Sequence, residues 1–294
     1  MLRGLYTAAA GMITQQRRHD TVTQNIANIN TMGYKQVNTA ARSFPEVLVS
    51  ITGGDSSIND RKVGTLNTGV FMEEGISMLK QGEVMESNKP TDIAIVSDLN
   101  VTNPETGQPM VFDSNGEYMD EEGNVTYKPQ AFFTLQDANG QTRYTRGGSF
   151  AVNSEGQLLS SNGLLVMDTD NEPITINGSV ENLIIDGQGR IVNTTTEEVE
   201  EQFIAISIVN QPHKMVSAGN GVFQIDDTDA AGVRLSVEDD NFAIRQGYLE
   251  YSNVDSAQSM VDMNLAARAY EANQKVIQFY DRSLDKAVNE IGRV

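Results

Sequence analysis

Carboxylates are the chemically reactive side chains that this sequence offers in number. Two acidic clusters stand out, one within residues 99–129 and one at Glu197–Glu201. Paired carboxylates carry out the acid and base steps of glycoside hydrolysis, so these clusters raise the possibility of a glycosidase. Nothing in the sequence places one carboxylate in a pocket, and runs of charge are typical of a hydrated surface. The sequence therefore favours a solvated face and predicts no catalytic residue.

Few other side chains could bind a metal or act as a nucleophile. Cysteine is absent, and His19 and His213 are the two histidines of the chain. Asp168–Glu172 and Asp226–Asp229 carry the spaced carboxylates that calcium requires, but the first lacks the glycine and the distal glutamate of a calcium-binding loop. Solvated turns explain both runs. We predict neither a metal site nor a cofactor.

The charge balance narrows the possible partners. The chain of 294 residues carries 21 Lys and Arg against 40 Asp and Glu, and the excess of acids lies between the two ends. Nucleic acids and anionic membranes need a basic surface, so neither is an expected partner. No segment has the length of a membrane-spanning helix, and the apolar run at residues 2–13 is too short and interrupted for a cleavable signal peptide. Composition alone predicts a soluble, cytoplasmic protein without membrane insertion.

The elements that would position any site begin with an amphipathic helix at the N-terminus. Two neighbouring rows repeat at sevens: Leu2, Ala9, Gln16 and Thr23, and Leu5, Met12, His19 and Ile26. This spacing is typical of a helix that packs along another helix, and polar residues in the seam favour a specific partner. Asparagine and glycine between Asn28 and Gly33 predict where the helix ends.

A longer helix is predicted at the other end, from about Asn253 to Ile291, and Ser252 with Asp255 predicts a capping box at its start. One apolar row repeats at sevens: Met263, Tyr270, Ile277, Leu284 and Ile291, with Met260, Ala267 and Val288 beside it. Another stripe repeats at elevens: Val254, Leu265, Val276 and Ala287. One partner would not cover both stripes. We therefore expect either an intramolecular helical hairpin or, more strongly, contacts with other copies of the chain.

The chain between the helices predicts antiparallel β structure. Short apolar runs flank Asn139-Gly140 and Asn162-Gly163, and Asn-Gly is a strong hairpin signal. The predicted fold class is α+β, with terminal helices that pair in a coiled-coil-like manner and a β-rich middle with Gly and Asn turns. We divide the chain into residues 1–35 plus 250–294 as a helical assembly domain, 36–98 as an extended connector with the first strands, 99–129 as an acidic insertion, and 130–249 as the β-rich domain.

The residues that follow the opening helix resemble a known signature. Residues 25–35 read NIANINTMGYK, similar to the N-x-[AL]-N-x-x-T-x-G-[FY]-[KR] pattern of the flagellar rod and hook axial proteins. Ser252–Asp255 and Arg268–Asn273 resemble the C-terminal signature of that family, and Tyr144–Phe150 resembles the middle of its FlgG and FlgF branch. The predicted assembly motif is Asn25, Ala27, Asn28, Asn30, Thr31, Gly33, Tyr34 and Lys35.

The resemblance implies a structural subunit of the bacterial flagellar basal-body rod, which serves motility without catalysis. Members of this family leave the cell unfolded through the flagellar type III export apparatus, without a cleaved signal. They polymerise into a tubular rod whose inner layer is built from the terminal helices. The implied partners are other copies of the chain, neighbouring rod and hook proteins, and the export apparatus. The residues expected to pack the helices are Leu2, Leu5, Met12, Ile26, Met260, Met263, Tyr270, Ile277 and Leu284.

The insertion at residues 99–129 departs from the usual family pattern, which continues directly from a strand such as Asp92–Ile95 to the next one. In this respect the chain resembles the FlhO-type branch of Gram-positive bacteria. A hook or hook-associated axial subunit is the alternative function. Two alternatives are more remote. A peptidoglycan-modifying enzyme is suggested by the carboxylates and by the wall that a rod must cross, and it predicts muramidase activity that is lost on mutation of one acid. A cytoplasmic binding module or chaperone predicts that the protein is not recovered in purified basal bodies.

Overall fold

A computed structural model describes residues 2–51, 61–97, 99, 101, 107, 109–113, 116–120, 122–176, 183–193, 202–237 and 240–291. The chain divides into two compact units. The first unit contains Met1–Ala27, Val37–Ile76 and Asp255–Val294, and the second contains Asn28–Gln36 and Ser77–Val254. Long helices lie near both ends and strands fill the middle, so the predicted α+β class is confirmed.

The helices are α1 (Leu2–Ala27), the short α2 (Thr228–Ala231) and α3 (Ser256–Lys286), with a π-helical turn at Ala287–Ile291 after α3. Asp255 is the N-cap of α3, and its side chain accepts a hydrogen bond from the Gln258 amide at 3.0 Å. Ser252 instead accepts from the Val254 amide. The predicted capping box was therefore wrong, because the backbone is still extended at Asp255 and the helix begins one residue later.

In the first unit the strands are β1 (Val37–Asn38), β2 (Ala41–Ser43), β3 (Val47–Ile51), β4 (Arg61–Leu66), β5 (Val70–Met72) and β6 (Ile76–Ser77), whose last residue belongs to the second unit. β2 pairs with β5, and β3 pairs with β4, both antiparallel. β5 lies against α1, where the Thr14 hydroxyl donates to the Val70 carbonyl at 3.3 Å. Thr14 is buried there, and it also donates to the carbonyl of Ala10 one turn earlier.

The second unit contains strands β7 to β24. They are β7 (Val84–Glu86), β8 (Ile93–Ser97), β9 (Glu117–Met119), β10 (Val125–Tyr127), β11 (Gln130–Gln136), β12 (Thr142–Thr145), β13 (Phe150–Val152), β14 (Leu158–Ser160), β15 (Leu165–Val166), β16 (Leu183–Ile185), β17 (Arg190–Asn193), β18 (Gln202–Phe203), β19 (Ile206–Val209), β20 (Val216–Gly219), β21 (Val222–Gln224), β22 (Val233–Leu235), β23 (Phe242–Gln246) and β24 (Tyr248–Glu250). The largest sheet has the order β13-β14-β15-β11-β12-β21-β20, and β19 pairs with both β11 and β22.

β11 is the centre of this unit because it is buried on both faces. Ala131, Phe133 and Leu135 point into the main core, whereas Phe132 packs in a smaller cluster with Tyr144 and Phe223. The main core also receives side chains from β8, β14, β16, β19 and β23. A strand with apolar residues on both faces reads as a continuous apolar run, which is how AFFTL appears in the sequence.

Several hairpins of this unit have the same type of turn. In Asp137–Gln141 the first side chain accepts the Gln141 amide at 3.1 Å, its carbonyl accepts the Gly140 amide, and Gly140 has a φ of +79°. This is a three-residue loop closed by a left-handed glycine, not the two-residue Asn-Gly turn. Hydrogen bonds lower the pKa of the Asp137 carboxyl, and the bond from the Gln141 amide has the largest effect. The same pattern recurs at Asn153–Gln157, Ser160–Leu164 and Asp186–Arg190.

A related turn occurs in Asp168–Glu172, one of the two acidic segments considered as a calcium site. Within Asp168–Glu172, the Asn171 amide donates to the Asp168 carbonyl, and Asn171 takes the left-handed position with a φ of +61°. The Asp168 side chain accepts the amides of Thr169 and Phe203. Its acceptor oxygen is thus used for the backbone of the turn and a neighbouring strand.

The acidic segments are only partly described. Within the predicted insertion, β9 and β10 form an antiparallel hairpin, and the Tyr127 ring stacks on His213 with ring centroids 4.0 Å apart. The run Glu197–Glu201 lies outside the described residues.

Candidate assembly surface and its buried ion cluster

The two terminal helices lie against each other in the first unit, and they run antiparallel. Along α1, Gly4 faces Tyr280, Gly11 faces Asn273, and Arg18 forms an ion pair with Asp262 at 3.2 Å. A Cβ added to Gly4 would lie 2.1 Å from the Tyr280 hydroxyl oxygen, and one on Gly11 would lie 3.1 Å from the Asn273 amide nitrogen. These glycines therefore leave room on α1 for the side chains of Tyr280 and Asn273.

Sequence reasoning missed this glycine row because it treated Gly4 and Gly11 as interruptions of an apolar run. The spacing of seven residues that joins Gly4, Gly11 and Arg18 was the available signal, since residues seven apart lie on one helix face.

The predicted helix-packing residues have different environments. On α1, Leu5, Met12 and Ile26 are half-buried, and the side chain of Leu2 is not described. On α3 the half-buried members are Met263, Tyr270, Ile277 and Leu284. Met260 is 55% exposed, whereas the fully buried positions are the small residues Ser259 and Ala266.

A second apolar stripe of α3 lies open to solvent. Val261, Leu265, Val276 and Phe279 are between 42% and 65% exposed. At 100° per residue these four positions fall within about 60° of one another, so they form one face. Leu265 and Val276 are the central members of the stripe that the elevens spacing predicted.

α1 also has an uncovered apolar face. Tyr6 is 70% exposed and Ile13 is 52% exposed, and the two lie seven residues apart. They lie on the side of α1 away from the row of Gly4 and Gly11 that faces α3, since two residues advance the helix by about 200°.

Several residues of the predicted assembly motif form hydrogen bonds inside the subunit. In the first unit the Asn25 side chain accepts from the Val37 amide at 3.0 Å and donates to the Val37 carbonyl at 2.8 Å, which ties the end of α1 to β1. In the second unit the Asn28 side chain accepts from the Thr31 hydroxyl at 3.1 Å. Ala27 and Asn30 are exposed.

Gly33 is held where only glycine fits. Its φ is +70°, and a Cβ there would lie 2.2 Å from the Gly147 amide nitrogen. Its own amide donates to the carbonyl of Glu250 at 2.8 Å. Tyr34 follows as a buried residue, and burial raises the pKa of its hydroxyl.

Lys35 ends the motif inside a buried ion cluster that local sequence patterns did not predict. Its Nζ lies 2.5 Å from Glu250 Oε1 and donates to the Lys80 carbonyl at 2.9 Å. Arg146 donates from Nε to Glu250 Oε2 at 2.9 Å and from Nη1 to the Ala131 carbonyl at 2.6 Å. The side chains of Lys35, Arg146 and Glu250 are each 1% exposed or less.

The cluster contains two cations and one carboxylate, so its charges are strongly coupled. Burial lowers the pKa of Lys35 to about 8, against the attraction of Glu250. Burial alone would raise the pKa of Glu250, but the charges of Arg146 and Lys35 outweigh it and hold the pKa below its ordinary value. The carboxylate is therefore ionised at neutral pH and compensates two buried cations.

The other candidate residues do not converge on one site. His19 lies 4.0 Å from Asp20 on α1, and His213 stacks on Tyr127. Burial, followed by the charge of Lys214, lowers the pKa of His213. Across the described part of the chain, no group of three histidine or acidic side chains could hold a metal ion. Among the same residues, no helix is long and apolar enough to cross a membrane.

Comparisons with known proteins agree with the resemblance in the sequence. Three family models match: "Flagella basal body rod protein" at residues 5–35, "Flagellar hook protein FlgE/F/G D1 domain" at 128–193, and "Flagellar basal body rod FlgEFG protein C-terminal" at 245–290. The flagellar hook-basal body complex protein FlhO of Bacillus subtilis (strain 168) is 35% identical over 296 residues, covering 100% of both chains. The chain belongs to the flagellar basal-body rod and hook protein family.

Other members of the family also match along nearly their whole length. FlhP, a flagellar hook-basal body complex protein of the same Bacillus strain, is 25% identical and 97% of each chain is covered. The flagellar basal-body rod protein FlgG of Borreliella burgdorferi is 28% identical, with 98% of each covered. The family resemblance predicted from the terminal signatures is thus confirmed.

The three matched family segments each contribute one residue to the ion cluster. Lys35 lies in the first segment, Arg146 in the second and Glu250 in the third. In this member of the family, the cluster joins the end of the N-terminal signature to the segment that precedes α3.

Proposed function

We infer that this protein is a structural subunit of the bacterial flagellar basal-body rod that polymerises through the exposed faces of its terminal helices. Membership of the family locates it in the flagellar basal body. The proposal assigns the work to non-covalent packing, and no residue is given a catalytic role. The observation that carries it is the open apolar stripe of α3, formed by Val261, Leu265, Val276 and Phe279.

The energy available from this stripe supports assembly. Burial of a fully exposed large apolar side chain contributes about 1.5–3 kcal/mol. The four side chains of the stripe are between 42% and 65% exposed, so covering each of them contributes about half of that amount. The monomer leaves this face in water, so that free energy is gained only when a neighbouring subunit covers the face.

Two different apolar faces favour a polymer over a closed dimer. The face of α1 marked by Tyr6 and Ile13 is not the same surface as the stripe of α3. Contacts between unlike faces are heterologous, and they continue from copy to copy in a helical assembly when the rotation does not close a ring. We propose that α1 and α3 pair in a coiled-coil-like manner within the subunit and form the inner layer of the tube, with the β-rich domain outside.

The predicted division of the chain is retained as part of this proposal, with α1 and α3 as the assembly domain. We also propose export through the flagellar type III apparatus without a cleaved signal, before the chain folds. The partners are other copies of the chain and the neighbouring rod and hook proteins. The hook alternative would differ in position along the axial structure, because both kinds of subunit use the same family of terminal segments.

The test replaces one exposed residue of the stripe by a charge. Phe279→Lys should leave the monomer folded, since Phe279 is 65% exposed, but it should prevent assembly by placing a charge in the interface. The matched control is Gln278→Lys, which adds the same charge at an exposed neighbouring position on another side of α3. Each variant is expressed as the sole copy of the gene, and swimming and recovery in purified basal bodies are measured.

We expect Phe279→Lys to be non-motile and absent from basal bodies, while Gln278→Lys behaves as the parent protein. Circular dichroism of both purified variants checks that the fold is retained. A motile Phe279→Lys strain with normal incorporation would contradict the assignment of this stripe to assembly.

A further inference from the structure

Within the second unit, residues 250–253 bond the signature segment 28–36. The Glu250 carbonyl accepts the Gly33 amide at 2.8 Å, and the Asn253 side-chain oxygen accepts the Gln36 amide at 2.7 Å. Together with the ion pair between Lys35 and Glu250, these contacts fix three of the four residues from 33 to 36.

Residues 250–253 also bond a second segment, residues 78–83. Glu250 Oε1 accepts the Gly82 amide at 2.9 Å, and the Tyr251 amide donates to the Glu83 carbonyl at 2.8 Å. Asn253 Nδ2 donates to the carbonyls of Met78 at 2.7 Å and Lys80 at 3.0 Å. Residues 250–253 thus lie between two segments and satisfy backbone groups of both.

Close packing reinforces these bonds. A Cβ on Gly82 would lie 2.0 Å from the Tyr251 carbonyl oxygen, so the segments approach as closely as glycine allows. Glu250 is the only anion in the described ion cluster, and without its charge Lys35 and Arg146 would be like charges in a buried site.

We propose that residues Glu250–Asn253 act as a closing clip, and that the signature segment 28–36 takes its folded conformation only when the clip is in place. The two segments are far apart in sequence, since 215 positions separate Lys35 from Glu250. The signature segment therefore cannot complete its hydrogen bonds until the last part of the second unit has joined it.

The clip has a consequence that rests on the proposed function. In a chain that emerges unfolded, the signature segment would stay open until residues 250–253 are released. A partly emerged subunit would then lack the folded ends that assembly requires.

Hydrogen exchange on the full-length monomer tests the clip. Glu250→Gln keeps the size of the side chain but removes the charge that compensates Lys35 and Arg146. We expect the Gly33 and Gln36 amides to exchange at least about a hundredfold faster, while the amides of β11 keep their protection. The matched control is Asp240→Asn, which changes a carboxylate to an amide in the surface ion pair with Arg234 and should not alter exchange at residues 33–36.

A second variant keeps the test decisive if Glu250→Gln does not fold. Asn253→Ala leaves the ion cluster intact and removes the side-chain bonds to Gln36, Met78 and Lys80. Faster exchange at Gln36 with unchanged β11 supports the clip. Parental protection of residues 33–36 in folded Glu250→Gln or in Asn253→Ala overturns it. Because exchange is measured on monomer, this result is independent of whether Phe279→Lys assembles.

Discussion

Loss of the Glu250 charge should be among the most destabilising single changes in the second unit. Glu250→Gln leaves Lys35 and Arg146 buried at 1% exposure, with hydrogen-bond acceptors but no compensating charge. Removing one partner from a buried ion pair costs about 3–5 kcal/mol, because the remaining charge stays desolvated. Total stability of a domain is about 5–15 kcal/mol, so the loss should be easily measured.

The assay is urea unfolding at pH 6, followed by far-ultraviolet circular dichroism and compared with Asp262→Asn. Asp262 pairs with Arg18 at the surface, where an ion pair contributes about 0–1 kcal/mol. We expect a large fall in the urea midpoint for Glu250→Gln and a small one for Asp262→Asn, with similar slopes. Equal small losses in the two variants would refute the assignment of a structural role to the cluster.

The pH dependence provides a second readout of the same cluster. Lys35 has a pKa of about 8 in the folded protein and an ordinary value of 10.5, so the unfolded chain binds more protons between these values. The Lys35 contribution to the free energy of unfolding therefore rises with pH from about 8 to 10.5. In Glu250→Gln the pKa of Lys35 should fall further, and the rise should begin at a lower pH.

Three further predictions address the carboxylate, the signature glycine and the helix cap. The pKa of Glu250 in the folded protein is below its ordinary value of 4.5, so its contribution to stability is present above pH 4.5 and is lost as the pH falls through the folded pKa. The melting temperature should therefore drop on acidification, and it should drop less in Glu250→Gln. Gly33→Ala should destabilise more than Gly163→Ala in urea unfolding, because both have positive φ but only Gly33 has backbone within reach of the new Cβ; equal losses would contradict this. Asp255→Ala should cost about 1 kcal/mol through loss of the bond to the Gln258 amide, measured by thermal unfolding against the exposed control Gln278→Ala.

Local patterns in the sequence predicted the elements well. The two terminal helices have strong apolar periodicity, and Asn139-Gly140 and Asn162-Gly163 do close hairpins. The stripe at elevens also predicted the face of α3 that is now seen to be exposed, because a helix of 31 residues keeps its periodicity over many turns.

Local sequence patterns could not predict contacts between residues that are far apart in the sequence. Lys35 and Arg146 lie in segments that resemble the family, but no sequence spacing connects them with each other or with Glu250. The start of α3 was misplaced for a similar reason, since Asn253 is held in the extended segment by hydrogen bonds to Gln36 and Met78 rather than by its local sequence. Tertiary contacts decided both cases.

The signature motif and the exposed apolar faces of the helices have different roles in the structure. The side chains of Asn25 and Lys35 form hydrogen bonds within the subunit. Gly33 donates its amide to the Glu250 carbonyl and lies where a Cβ would not fit. The apolar side chains that remain open lie instead on α1 and α3. The motif therefore supports the fold of the subunit, and the helix faces supply the surface that we assign to polymerisation.

The most direct test of the central claim is the position of this chain in isolated basal bodies. A small tag in the hairpin of β9 and β10, which lies away from the terminal helices in sequence, can be labelled and viewed by electron microscopy. We predict several labels per basal body, arranged along the rod. Label that is absent from the rod of fully assembled, motile cells would contradict the account.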